Sequence, residues 1–192
     1  MPDILSKLFG SAARVKLLRL FLFNPKAAFT VAEAAAHAQV RDKECRHECA
    51  MFEQIKLIKR VTRNGSVRFV LNTDFKYTDT LQNLLLNAPE LGAELYERVR
   101  RTGVIKLIVV CGMFVGEWDA PLDILIVGDR VHERRLQGCI RKIEAEVGKE
   151  IRYTLLATEN FLYRLNINDH LVKDVFDYQH RIVHDKLQIG LK

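Results

Sequence analysis

The stretch Phe29–Val61, FTVAEAAAHAQVRDKECRHECAMFEQIKLIKRV, decides how the first part of this chain folds. Thr30 is a good N-cap, and Glu33 three residues on completes a capping-box pattern. The helix VAEAAAHA that follows is short, Ala-rich and able to pack closely. After the turn QVR, Asp42 is placed to cap a second helix, KECRHECAMFEQIK. Cys45, Cys49, Phe52 and Ile55 recur there at three- and four-residue spacing and form the buried stripe. Lys43, His47, Ala50 and Gln54 fall on the opposite face, with Arg46 on its flank.

A short helix, a tight turn and a second helix with a polar outer face describe a helix-turn-helix. Its second helix is sized for the major groove of DNA. Upstream, Val15, Leu17, Leu18, Leu20, Phe21 and Leu22 crowd one broad face between Ser11 and Phe23. That is a buried helix, ended by Asn24-Pro25. Downstream, LIKRVTRNGSVRFVLN places two β-rich runs around Asn64-Gly65, a hairpin-turn signal. Lys59, Arg60, Arg63 and Arg68 decorate that hairpin.

Charge points the same way. The chain of 192 residues has a formal net charge of +6. Residues 1–75 hold 13 Lys and Arg against 7 Asp and Glu, and residues 76–192 hold 17 of each. The whole excess therefore sits beside the helix-turn-helix, as in a domain that faces a polyanion.

Over residues 8–73 the sequence resembles winged-helix transcriptional regulators. LFGSAARVKLLRLFLFNP is similar to their first helix, and the stretch from Phe29 to Val61 follows their order of helix, turn, recognition helix and wing entry. Lys56-Leu57 departs from the pattern, because such regulators often place a Gly before the wing. The resemblance implies a double-stranded DNA partner. It puts the DNA face at Arg41, Lys43, Arg46 and His47 on the recognition helix, with Lys59, Arg60, Arg63 and Arg68 on the wing. A winged helix that binds protein is the alternative.

Residues 76–101 read as a helical connector. Leu81, Leu84 and Leu85 share a face, with Leu86 beside them. Ala88-Pro89 breaks the helix, and Leu91, Leu95 and Val99 make a second stripe. These faces need a partner, either the neighbouring domain or a second copy. DNA readers commonly pair on two half-sites, so a homodimer is expected.

From residue 102 the pattern alternates: a strand at VIKLIVVCG, a loop, the strand LDILIVG, and a helix from about His132 to Val147. A third strand EIRYTLLA follows, then a short helix capped by Thr158, and a last helix from about Asp169 to His180. The fold class expected for the whole is α/β (α+β), with domains at 1–75 and 102–192. The aromatics Tyr153, Phe161, Tyr163, Phe176 and Tyr178 fit core positions better than a base-stacking platform.

Residues 102–185 resemble the minimal nucleotidyltransferase domain. That family places a Gly-Ser loop after a strand, an Asp-x-Asp pair on the next strand and a third carboxylate on a later one. Three carboxylates are needed to hold the two Mg²⁺ ions that clamp a triphosphate. Here Gly112 matches the Gly, but Met113 replaces the Ser. Gly116 and Glu117 look like the Gly-Glu that follows, in a loop one residue shorter. Asp123 matches the second Asp, Pro121 takes the place of the first, and Arg152 falls at or beside the third carboxylate. Glu117, Asp119 and Glu150 are the acids placed to substitute.

The resemblance thus implies the fold without its reaction. Gly112, Gly116 and Asp123 would be a vestigial site, with no metal and no cofactor. Asp123 would survive as a structural acid, capping the loop or pairing with Arg152.

Cys45, Cys49, His37 and His47 raise the question of zinc. The two cysteines lie on the core stripe while His47 points away, so buried structural cysteines are expected. The opening residues carry no uninterrupted apolar run and no small-residue cleavage site, and the apolar runs are too short to span a bilayer. A reducing cytoplasm is the expected compartment. The function expected is that of a DNA-binding transcriptional regulator, with the second domain serving dimerisation or sensing and open to a nucleotide or protein ligand. The alternatives are a metal-dependent nucleotidyltransferase and an antitoxin-like adaptor.

Overall fold

Two hydrophobic cores organise the chain, which is of mixed α/β class with two small sheets. The computed structural model describes residues 4–63, 65–86, 88–118 and 120–189, the side chains of residues 88–91 excepted. The chain divides into two units, Met1–Leu86 with Lys142–Glu150, and Asn87–Arg141 with Ile151–Lys192. Among the described residues no helix is long and apolar enough to cross a membrane.

In the first unit the order is α1 (Ile4–Leu8), α2 (Ala12–Phe23), β1 (Ala28–Phe29), α3 (Val31–Ala38), α4 (Asp42–Gln54), β2 (Ile58–Arg63), β3 (Ser66–Leu71) and α5 (Thr78–Leu85). The sheet runs β1-β3-β2 and is antiparallel throughout. The expected apolar residues of α2 are all buried, and they meet Cys45, Cys49 and Phe52 of α4 in one core. Ser11 caps α2, accepting from the Arg14 N–H at 3.1 Å. The capping box at α3 is complete: Thr30 Oγ1 accepts from Glu33 N–H at 3.2 Å and Glu33 accepts from Thr30 N–H at 2.8 Å. Asp42, expected as the cap of α4, is instead its first residue. The carboxylate of Glu44 returns to the Arg41 N–H, which makes the extended Arg41 the cap.

Both α3 and α4 end on a non-glycine residue in the left-handed region, Gln39 at φ 49° and Lys56 at φ 63°. After α4 the Leu57 N–H reaches Phe52 O at 2.9 Å and the Lys56 N–H reaches Glu53 O at 3.0 Å, a Schellman ending. This turn swings Ile55 outward to 48% exposure, so Ile55 does not belong to the buried stripe; Leu57 packs inside in its stead. Leu84 is likewise 47% exposed, because α5 buries only Leu85 fully and Leu81 in part. Gly65 takes φ 71° in the hairpin turn, while Asn64 lies outside the described residues.

Residues 142–150 close the first unit through Arg19, which is 1% exposed. Its guanidinium donates to Leu85 O at 2.8 Å and Glu146 O at 3.1 Å, carbonyls at helix C-termini where a cation is favoured. Gly148, at φ 81°, sits so close to α2 that a Cβ would fall 2.5 Å from the Arg19 carbonyl carbon.

The second unit holds α6 (Ala88–Val99), β4 (Val104–Val110), a 3-10 turn (Gly112–Val115), β5 (Ile124–Asp129), the start of α7 (Glu133–Val147), β6 (Tyr153–Leu156), α8 (Thr158–Asn166), α9 (His170–Asp177) and β7 (Arg181–Asp185). Its sheet runs β6-β5-β4-β7, with β5 and β6 parallel and the other pairs antiparallel. The fourth strand, β7, is absent from the sequence expectation; the final helix stops at Asp177 and the β-branched run after it pairs on the free edge of β4. Thr158 does not cap α8. Asp129, at the end of β5, does so by accepting from the Thr158 N–H at 3.1 Å and its hydroxyl at 2.8 Å, and these donors hold its carboxyl below the usual range. Phe161 is fully buried, but Tyr163 and Tyr178 are 64% and 57% exposed, contrary to a core assignment.

Candidate functional site

Helix α4 presents two chemically opposed faces. Cys45, Glu48, Cys49 and Phe52 point into the core, while Lys43, Arg46, His47, Ala50 and Gln54 are exposed at helical spacing on the other side. The inner face contains an acid that apolar spacing does not flag. Glu48 is 5% exposed and takes a two-point contact from Arg14, at 2.8 and 3.3 Å. Arg14 also donates to Phe9 O at 3.0 Å, so one guanidinium ties α4 to α2 and to the turn after α1. Glu48 falls on the same stripe as Cys45 and Phe52, a legible signal; its partner 34 residues earlier is not.

The eight expected DNA-face residues divide into two groups. Among the described residues Lys43, Arg46, His47, Lys59 and Arg63 have no hydrogen-bond or ion-pair partner, and all are exposed. The other three are engaged. Arg41 pairs with Glu44, and Arg60 pairs with Glu53 at 2.7 Å and lies over the Phe69 ring. Arg68 binds both oxygens of Glu33, at 2.7 and 3.0 Å, and also Ala28 O at 2.9 Å. The Glu33 carboxyl is held below its usual range first by the Thr30 N–H and then by Arg68. Arg68 is therefore a brace between β3 and α3. Register separates the ribbon residues further. Lys59 and Arg63 share one face of the hairpin, whereas Arg60 lies opposite Phe69 on the face that carries buried Ile58 and Leu71.

The second unit gathers its own charged group around Asp123, which is 0% exposed. One carboxylate oxygen accepts from the Met113 N–H at 3.0 Å and from Arg152 Nη2 at 2.8 Å. The other accepts from Arg152 Nε and from the Arg152 backbone N–H, each at 2.9 Å. The same guanidinium donates to the carbonyls of Ala120 and Trp118. Four donors and a fixed cation thus satisfy the carboxylate, the pairing expected from their neighbouring positions.

Gly112 belongs to this arrangement. It has φ 54°, and a Cβ there would stand 2.3 Å from an Asp123 oxygen and 2.7 Å from Leu122 O. Its small size is needed by Asp123. Gly116 ends the turn at φ 91° with open space beside it. Glu117 is half-buried in the same loop, Glu150 groups with the first unit, and Asp119 lies outside the described residues.

No family model, curated protein or solved structure matches this chain.

Among the described residues no three His, Cys, Asp or Glu side chains stand together to hold a metal. Cys45 and Cys49 are buried with their sulfurs 3.9 Å apart, and the contact with Cys45, then burial, pushes the Cys49 thiol up. Cys111 donates to Leu122 O at 3.2 Å, and burial raises its thiol to about 12. These thiols are inert packing groups at neutral pH.

Proposed function

We propose that this protein is a DNA-binding transcriptional regulator whose first unit acts as a winged helix-turn-helix. The carrying observation is the exposed row Lys43, Arg46 and His47 on α4, joined by Lys59 and Arg63 on the hairpin. These cations have no protein partner among the described residues, whereas neighbouring cations of equal charge do. Unpaired cations beside a helix of groove-sized diameter suit phosphates and base edges. Glu48 and Arg14 fix the inner side of α4, so its outer side is held in one orientation.

The second unit, on this reading, is a nucleotidyltransferase-like domain that has lost its reaction. A guanidinium lies on Asp123 where the family would need a divalent cation, and a fixed positive charge there opposes metal entry. With Pro121 in the place of the first carboxylate, one acid remains, and Mg²⁺ surrenders its waters reluctantly to so few ligands. Metal-dependent transfer is the disfavoured reading for this reason.

The test has two arms. Purified full-length protein is used to select duplexes from a random pool, and enrichment of a defined sequence is expected. In parallel, protein with Mg²⁺ and labelled ATP is assayed for pyrophosphate, and none is expected above a protein-free control. Failure to retain any duplex at low salt would remove the regulator reading. Pyrophosphate release abolished by Asp123→Asn would put the enzyme in its place.

A further inference from the structure

Helix α8 carries a stripe that the core does not explain. Phe161 is fully buried and Leu165 packs beside it, so the helix is firmly seated on the sheet. On the opposite side Leu162, Tyr163 and Ile167 are 41%, 64% and 53% exposed, with Asn166 among them. Residues three and four apart on a helix are neighbours, so these four make one continuous ridge. Arg164 is turned off the ridge by Asn160 and Asp169. From Leu162 to Ile167 the exposed surface is thus apolar or amide, without charge.

We propose that this ridge is the homodimer contact, packing antiparallel on α8 of a second copy about a two-fold axis. Charge selects the occupant. The first unit holds 16 Lys and Arg against 11 Asp and Glu, so copies meeting through it repel; the second holds 14 against 13 and does not. A two-fold interface must also fit itself, and any charge near the axis faces its own image. The ridge meets that condition. Tyrosine and aliphatic groups pack on their own kind, and an Asn amide offers both donor and acceptor to the same amide opposite. Glu159, the exposed acid in the first turn, would lie at opposite ends of an antiparallel pair, far from its image. The contact deepens the regulator reading by supplying its second half-site reader, yet it is measured without nucleic acid, so either can fail alone.

The experiment is sedimentation of the full chain across a dilution series. Wild type is expected to dissociate from dimer to monomer on dilution. Tyr163→Glu with Ile167→Glu is expected to stay monomeric with an unchanged melting temperature, since both sites are exposed. Tyr163→Arg with Ile167→Arg provides the opposite charge, and mixing the two double variants is expected to restore a dimer. A wild type that is monomeric throughout, a double-Glu variant that still dimerises, or a mixture that fails to associate would each overturn the proposal.

Discussion

The outer face of α4 and the pocket around Asp123 differ in what their cations touch. On α4, Lys43, Arg46 and His47 reach solvent with no acid in range among the described residues. In the pocket, Arg152 is folded back onto a fully buried carboxylate and two carbonyls. One set of charges is left available, and the other is consumed by the fold. The hairpin shows the same division at close range: Arg63 stands free, and Arg68, two residues past the turn pairing Arg63 with Ser66, braces Glu33. Counting basic residues in a segment therefore overstates the surface offered to a polyanion.

The largest expected effect is at the consumed charge. Asp123→Ala leaves the Met113 and Arg152 donors unmet and should cost about 3–5 kcal/mol of stability, read by urea denaturation. A loss under about 1 kcal/mol would mean that the pocket is not a structural ion pair. Next comes Arg14→Ala, which strands Glu48 in the core. The arginine is about one-third exposed, so solvent screens part of the loss, and about 2 kcal/mol is expected. Restoration of stability by adding Glu48→Gln would confirm that the stranded charge is the cause.

Lys56→Gly runs in the opposite direction. Lys56 holds a left-handed backbone that costs a side-chain-bearing residue about 1 kcal/mol, so the glycine variant should melt higher. A lower melting temperature would show that the Lys56 side chain outweighs its backbone strain.

The smallest effect is at Glu33. Its carboxyl titrates lower in the folded chain than in the unfolded one, so the native state binds fewer protons in the acid range. That contribution is complete above the ordinary carboxylate pKa and is lost as pH falls through the depressed folded value. Glu33→Gln should therefore flatten the acid side of a melting-temperature profile and leave its slope near neutrality unchanged. An identical acid limb would exclude the Thr30–Glu33–Arg68 group as a pH-dependent brace.

Much of this is legible from residue order, and the exceptions share a cause. The α2 and α4 core stripes, the Thr30 capping box and the Asp123–Arg152 pairing follow from local spacing or adjacent positions. Ile55 reads as part of the stripe because a Schellman turn ends the helix one residue before it, and no Gly announces that turn. Strand β7 escapes because its only support is the distant edge of β4. Arg68 reads as a wing cation until Glu33, 35 residues away, is seen beside it. Tyr163 has the composition of a core residue, and only the seating of Phe161 turns it outward.

The central claim is that unpaired cations on α4 and the hairpin, and not the braced ones, meet a nucleic-acid backbone. Salt-dependent duplex binding by fluorescence anisotropy tests it directly. Replacing Lys43, Arg46 and Arg63 together by Ala should reduce the slope of log K against log salt by about 0.9 for each phosphate no longer neutralised, up to nearly three units. Arg68→Ala, in protein that remains folded, should leave the slope as it is in wild type. An unchanged slope in the triple variant, or an equal drop from Arg68→Ala alone, would contradict the account.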